Sequence, residues 1–238
     1  MKKTPRAAAA ISALVLVLAL VPAASLAAGP GETGARGLWP AGIVEYRFDR
    51  SVEGDHRELF RDAMRVWAEG TGVVSFVESP VSVLGDAAWL LGIDRSLLIR
   101  QDPELPMFAR TTVGWGPRRT LVFNPSKDDP SWWRADLLHE LGHVLGLTHE
   151  HQRLDRDLFV AIPREFLDSA GDRAGDYEIA DDWPFVAGEF DYDYDSIMHY
   201  GSNIDSNRMT RVDTGGFVAS SKALSRLDIE KVRRLYGR

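Results

Sequence analysis

Three histidines stand in the stretch HELGHVLGLTH at residues 139–149, and their spacing restricts how the surrounding chain can fold. An α-helix turns once in about 3.6 residues, so His139 and His143 project from one face, one turn apart. Two neutral imidazoles so placed can take two corners of a zinc tetrahedron. Gly146 can leave the helix in a left-handed conformation that residues with a side chain avoid, and the turn brings His149 to a third corner. Glu140 lies off the ligand face but close enough to act on a metal-bound water. The fourth position stays open, as in a catalytic rather than a structural zinc site. Leu138, Leu141, Val144 and Leu145 surround the ligand face with apolar groups, so the helix expected over Trp132–Leu145 belongs at the centre of the molecule.

The bland alternative to HExxH is an amphipathic helix that happens to carry two histidines and a glutamate. Gly146 and His149 at fixed offsets weigh against it. Five of the six histidines lie at or near this stretch, counting His151 and His199; His56 lies apart. The chemistry expected is metal-assisted amide hydrolysis. Zinc lowers the pKa of its bound water to about 7. Glu140 takes the proton as the water attacks and passes it to the leaving amine. No GxSxG is present, and a zinc mechanism needs no serine or cysteine nucleophile.

A second signal is Ser196-Ile197-Met198-His199-Tyr200. A methionine in a tight turn after such a helix reads as a Met-turn, with Met198 an apolar floor beneath the imidazoles. The alternative is an ordinary core methionine. Tyr200 carries a phenol, a good proton donor at neutral pH, that can ligate zinc and swing out to stabilise an oxyanion; the alternative is a half-buried aromatic.

The chain has 238 residues and no cysteine. Residues 1–27 combine a basic start (Lys2, Lys3, Arg6), an apolar run at Ile11–Val21, a break at Pro22 and small residues to Ala27, which reads as a secretory signal peptide. An uncleaved membrane anchor is the alternative. Cleavage makes the formal net charge of −7 more negative by three. An acidic exported chain is a poor nucleic-acid binder. The expectation is a secreted, periplasmic or extracellular monomer that acts on protein or peptide and meets no membrane once cleaved.

Gly29–Gly37 reads as an arm within residues 28–37, ahead of one catalytic domain at 38–238. Ile43–Phe48, Gly72–Glu78 and Leu97–Gln101 read as strands, and Thr111–Gly116 with Thr120–Phe123 as a strand pair. Arg57–Glu69 reads as a helix through Phe60, Met64 and Trp67, ending at Gly70. Phe159–Ile162 reads as a short strand. Residues 171–195 look irregular and acidic. Alternating Asp191, Asp193 and Asp195 admit a calcium site there, against the favoured reading of a solvated acidic face. Ser225-Arg226-Leu227-Asp228 is a capping box that starts a helix carrying Ile229, Val232 and Leu235. The class is α+β. A first lobe carries a mixed sheet and two long helices, a second is mostly irregular with a terminal helix, and a cleft lies between them.

HELGHVLGLTHEHQRLDRD together with SIMHY resembles the astacin family of zinc endopeptidases, within the metzincins. The resemblance implies one catalytic zinc on His139, His143 and His149, with Tyr200 as an extra ligand, Met198 as floor and Glu140 as base. It also implies that Glu150 is structural and meets the buried amino terminus of the mature enzyme. Arg153, Asp155, Arg156 and Asp157 would brace the loop after the third ligand. Leu38–Ile43 looks like the start of the catalytic domain, Thr112-Val113-Gly114 like the cleft-edge strand and Leu224–Tyr236 like the terminal helix. Three departures stand out: no cysteine where two disulfides are usual, Leu147 where phenylalanine is typical, and no long propeptide. Signal cleavage is therefore expected to generate the working amino terminus directly. Two other readings remain: a different metzincin, which Glu150 and Tyr200 disfavour, and a catalytically silent protein-binding module, which the intact ligands and base disfavour.

Overall fold

A computed structural model describes residues 37–80, 83–127, 129–202 and 209–237. The signal-peptide reading and the arm ahead of Gly37 lie outside these residues.

The first half alternates strands and helices. Strand β1 (Ile43–Phe48) leads into helix α1 (Gly54–Thr71), whose Phe60, Ala63, Met64, Trp67 and Thr71 make one buried stripe at helical spacing. The helix runs past the expected Gly70 and stops at Gly72, in the left-handed region with φ 69°. Strand β2 (Ser75–Glu78) is accordingly shorter than expected, because Gly72 caps the helix instead of opening the strand. Helix α2 (Val83–Leu90) was not legible in the sequence, where an apolar run around Gly85 lacks a clear helical period. Strands β3 (Leu97–Gln101), β4 (Ala109–Thr111) and β5 (Thr120–Phe123) follow.

These form a mixed five-stranded sheet in the order β2-β1-β3-β5-β4. Every pairing is parallel except β4 with β5, which places Thr111 opposite Leu121. The edge strand thus ends at Thr111. The expected segment Thr112–Gly114 continues beyond it as irregular chain, with the Gly114 N–H donating to the His143 carbonyl at 2.9 Å.

Helix α3 (Pro130–Val144) carries the motif. Asp129 caps it by accepting from the Ser131 N–H at 2.8 Å, and Pro130 opens it where an N–H is dispensable. It is buried on several sides, and the Trp67 indole donates to the Leu138 carbonyl at 3.0 Å, joining α1 to α3. At its far end the Trp39 indole donates to the Val144 carbonyl at 2.8 Å and the Tyr236 hydroxyl to the Leu145 carbonyl at 3.0 Å. These donors satisfy carbonyls that a helix terminus leaves without partners. The segment at 38–43 is thereby docked on the site-bearing helix.

After α3 the chain is mostly irregular. It contains β6 (Val160–Ala161), α4 (Arg164–Ser169), β7 (Thr210–Arg211) paired with β6, and α5 (Arg226–Tyr236). The capping box is present: Ser225 accepts from the Asp228 N–H, and Asp228 accepts from the Ser225 N–H. Two apolar clusters result. The larger spans the sheet, α1, α3, Met198 and Val232; the smaller gathers Val160, Tyr192, Met209 and Val218, with Tyr200 packed against it. The motif histidines and Tyr200 stand where these clusters meet. Among the described residues no helix is long and apolar enough to cross a membrane.

Candidate metal centre

The helical part of the centre comes from α3, with His139 and His143 one turn apart and their ring centroids 4.8 Å from each other. Gly146 then adopts φ 99°, a conformation strained for any residue with a Cβ. The chain reverses, and His149 brings its ring to 4.6 Å from His143 and 5.1 Å from His139.

Outer contacts set the orientation of each ring. His139 Nδ1 lies 2.7 Å from the Ile197 carbonyl, His143 Nδ1 2.8 Å from the Leu147 carbonyl, and His149 Nδ1 2.8 Å from Gln152 Oε1. Carbonyl oxygens only accept, so each Nδ1 carries the proton and each Nε2 carries a lone pair. The Nε2 atoms converge, His143 to His149 at 3.1 Å and His149 to His139 at 3.2 Å. Zn–N bonds of about 2.0–2.1 Å at tetrahedral angles place neighbouring nitrogens roughly 3.3 Å apart. Three neutral donors aimed at one point repel unless a cation sits among them, so this donor set fits zinc. Burial pushes His139 below its ordinary pKa. Burial first, and then the neighbouring imidazoles, push His149 further down. Both therefore stand in the neutral form that a metal requires.

The Met-turn lies against this helix. Met198 is 1% exposed, and a Cβ placed on Gly142 would stand 2.4 Å from its sulfur. The methionine therefore occupies the space a side chain at 142 would take, directly beneath the ligand turn. Tyr200 places its ring centroid 4.3 Å from that of His149 and 5.9 Å from that of His139. The Thr111 backbone at the end of the edge strand lies near enough to favour the charged form of Glu140, whose Oε2 is buried without a partner. Desolvation, followed by the Asp136 carboxylate one turn earlier, pushes Glu140 up to about 8. A buried carboxylate oxygen without a partner is suited to receive a proton.

Glu150 directly follows His149 and opens the loop after the third histidine. It is 1% exposed, and its cations come from inside the fold. Oε1 accepts from Arg153 Nη1 at 2.9 Å and from the Asp193 N–H at 3.1 Å, and Oε2 accepts from Lys231 on α5. The expected contact with the amino terminus involves residues outside those described. Arg153 also forks onto Asp155 at 2.8 and 2.9 Å. Arg156 holds Asp157 at 2.6 Å and donates to the His151 and Tyr177 carbonyls. Arg153 and Arg156 thus tie the loop after His149 to the irregular half.

The acidic alternation does not gather a cation site. Asp193 is buried, with the Ser225 hydroxyl donating to it, while Asp191 and Asp195 are exposed. Among the described residues the one grouping of three or more metal-type side chains is His139, His143 and His149. Sequence reasoning missed Gln152 and Lys231 and read Asp228 only as a helix cap. Asp228 and Lys231 share the α5 face that carries Val232, and a charged pair on an apolar face was the available signal.

Residues 134–237 match the family model described as Astacin, a family of peptidases. The astacin-like metalloendopeptidase of Gallus gallus is 36% identical over 210 residues, which cover 84% of this chain and 46% of that protein. Tolloid-like protein 1 of Homo sapiens is 30% identical over 208 residues, 84% of this chain and 19% of that protein. The chain therefore spans less than half the length of these relatives. Among solved structures, high choriolytic enzyme 1, a hatching enzyme zinc-protease from Oryzias latipes, superposes with a TM-score of 0.66 at 22% identity, covering 85% of this chain and 94% of that one. Myroilysin superposes with a TM-score of 0.60 at 19% identity, covering 84% and 96%. At these identities the superpositions speak to the fold alone, an α+β arrangement of a mixed sheet and helices.

Proposed function

Over residues 134–237 this chain matches the astacin family of peptidases, and from that premise we propose that it is a secreted zinc-dependent endopeptidase in which Glu140 is the general base. The observation that carries the reading is the convergence of three Nε2 lone pairs, with the residue next to the first of them, Glu140, carrying a buried oxygen that has no partner. His139, His143 and His149 would hold the metal, with Tyr200 alongside. Bound there, zinc would polarise a peptide carbonyl and acidify a water.

The remaining work falls to side chains and backbone. Glu140 takes the proton of the attacking water and delivers it to the leaving nitrogen, the role suited to a carboxylate whose proton affinity is raised by burial. Tyr200 donates its phenolic proton toward the oxyanion as the carbonyl carbon becomes tetrahedral. Strand β4 lies at the edge of the sheet, and the backbone of its last residue, Thr111, comes near Glu140. An extended substrate laid along that edge brings its scissile bond to Glu140. Secretion rests on the signal-peptide pattern of residues 1–27.

The test is proteolysis of a casein-type substrate with zinc analysis on wild type and Glu140→Gln. The variant is expected to retain zinc and to lose roughly 10²–10⁴-fold in rate. Equal cleavage by both proteins would refute the base assignment. The same assay separates this reading from that of a binding module, which predicts no cleavage by wild type.

A further inference from the structure

Two buried histidines take no part in the triad. His151 is wholly buried two residues after His149, and His199 is 3% exposed on the Met-turn, just before Tyr200. They come from different segments, and both end on the backbone of Tyr200. The Tyr200 N–H donates to His151 Nδ1 at 3.4 Å, and the Tyr200 carbonyl accepts from His199 Nδ1 at 2.8 Å.

The far nitrogens settle the tautomers. His151 Nε2 lies 2.9 Å from the Asp176 carbonyl, which only accepts, so Nε2 carries the proton and Nδ1 keeps a lone pair for the Tyr200 N–H. His199 is the reverse: Nδ1 carries the proton toward the Tyr200 carbonyl, and Nε2 accepts from the Tyr192 hydroxyl at 2.8 Å. Donation therefore runs in one direction, from Tyr192 through His199, the Tyr200 backbone and His151 to Asp176. Both rings must be neutral for this chain to hold. Burial drives both below the ordinary imidazole range, His199 to about 4. Around His199 the Glu150 carboxylate, which favours the charged ring, is opposed by the Lys231 ammonium; around His151 the Arg156 guanidinium disfavours the charged ring. The Tyr200 ring, by contrast, is half-buried and faces the ligands, its centroid 4.3 Å from that of His149 and 4.6 Å from that of His151. His151 also stacks on His149, with centroids 5.1 Å apart and planes at 18°. A group that must meet a developing oxyanion works best with its base fixed and its tip free.

We propose that His151 and His199 are positioning residues for Tyr200: they clamp its backbone from both sides, so that the phenol reaches the reacting carbonyl by side-chain rotation alone. The proposal rests on the reading of Tyr200 as the oxyanion donor. Its consequence is that the two histidines act on the reaction only through the Tyr200 hydroxyl.

The test uses the full chain. Hydrogen exchange at the Tyr200 amide, read with and without zinc, reports the clamp directly, since an N–H that has lost its acceptor exchanges faster. His151→Leu fills a similar space without a nitrogen. Its Tyr200 amide is expected to exchange about 10-fold faster, the worth of one hydrogen bond. Its kcat on a casein-type substrate should fall roughly 10–100-fold with KM retained. His151→Asn sets an amide oxygen near the place of Nδ1 and should restore both the protection and most of kcat. His199→Leu should show the same loss of kcat. In a Tyr200→Phe background either leucine variant should cost less than about 2-fold further, because residues that act as one unit do not add. If His151→Leu does not fold, His151→Gln carries the test, since it keeps a donor toward Asp176 but no acceptor for Tyr200. Three results would overturn the proposal: equal Tyr200 protection in wild type and the His151 variant, a histidine penalty as large in the Tyr200→Phe background as in wild type, or wild-type kcat in His199→Leu or Tyr200→Phe. Should no form bind zinc or cleave casein, the zinc-peptidase reading fails, while exchange at the Tyr200 amide still decides whether His151 holds it.

Discussion

Replacing Gly142 with alanine sets two effects of known sign against each other. Alanine is the better helix former by about 1 kcal/mol in a helix interior. At Gly142 the new Cβ would meet Met198 Sδ at 2.4 Å, Met198 Cε at 3.3 Å and Trp67 Cζ2 at 3.4 Å. Non-bonded atoms rest at about 3.5–4.0 Å, so the sulfur overlaps by more than an ångström. Met198 has little room to retreat, because its side chain is 1% exposed and its backbone is held by the Glu150 N–H and by Ser196 Oγ at 3.0 Å. An overlap this large belongs in the upper part of the usual overpacking cost, about 2–3 kcal/mol, so against a propensity gain of about 1 kcal/mol it leaves a loss of about 1–2 kcal/mol. For a chain of this size that lowers the thermal midpoint by roughly 3–6 °C. The displaced Met-turn should also weaken zinc binding, because Ile197 orients His139 from the same turn. The control is Gly70→Ala in α1, where the nearest atom to the new Cβ is Ile229 Cδ1 at 3.4 Å. There propensity should win, raising the midpoint by a degree or two. Calorimetry of both variants and chelator competition for zinc check the pair. A Gly142→Ala protein as stable as wild type, with unchanged zinc affinity, would refute the packing argument.

Two other measurements follow from the site. Gln152→Leu removes the acceptor that fixes the His149 ring, and zinc should bind about 10–100-fold more weakly with the fold intact; unchanged affinity would show that the ring needs no such partner. Burial raises Glu140 from its ordinary 4.5 to about 8 in the zinc-free protein. The folded form therefore holds that proton more tightly than the unfolded chain, and this favourable contribution is lost as pH rises through that window. Stability of zinc-free wild type should fall relative to Glu140→Gln between those values, and parallel pH profiles would remove the argument.

The parts of this site legible in the sequence are those set within a turn or two of helix. His139 and His143 share a face because of the helical repeat, and Gly146 turns the chain because it lacks a Cβ. Ser225 and Asp228 cap each other across three residues. The paired strands near the cleft were legible only in part. The edge strand lies at Ala109–Thr111 rather than Thr111–Gly116, since register with β5 and not local pattern decides where pairing stops. Helix α2 escaped notice because its apolar residues do not repeat at helical spacing.

The proposed donor set, base, methionine and tyrosine are thus read from the sequence alone, through their identities and offsets. The tertiary structure decided how they are aimed. His139 is oriented by a carbonyl 58 residues away, and Glu150 is neutralised by a lysine 81 residues away. Local periodicity cannot reach across such separations. Which distant polar group meets a buried one is settled when α5 and the Met-turn pack on α3, because each buried charge must then find a partner within that closed space.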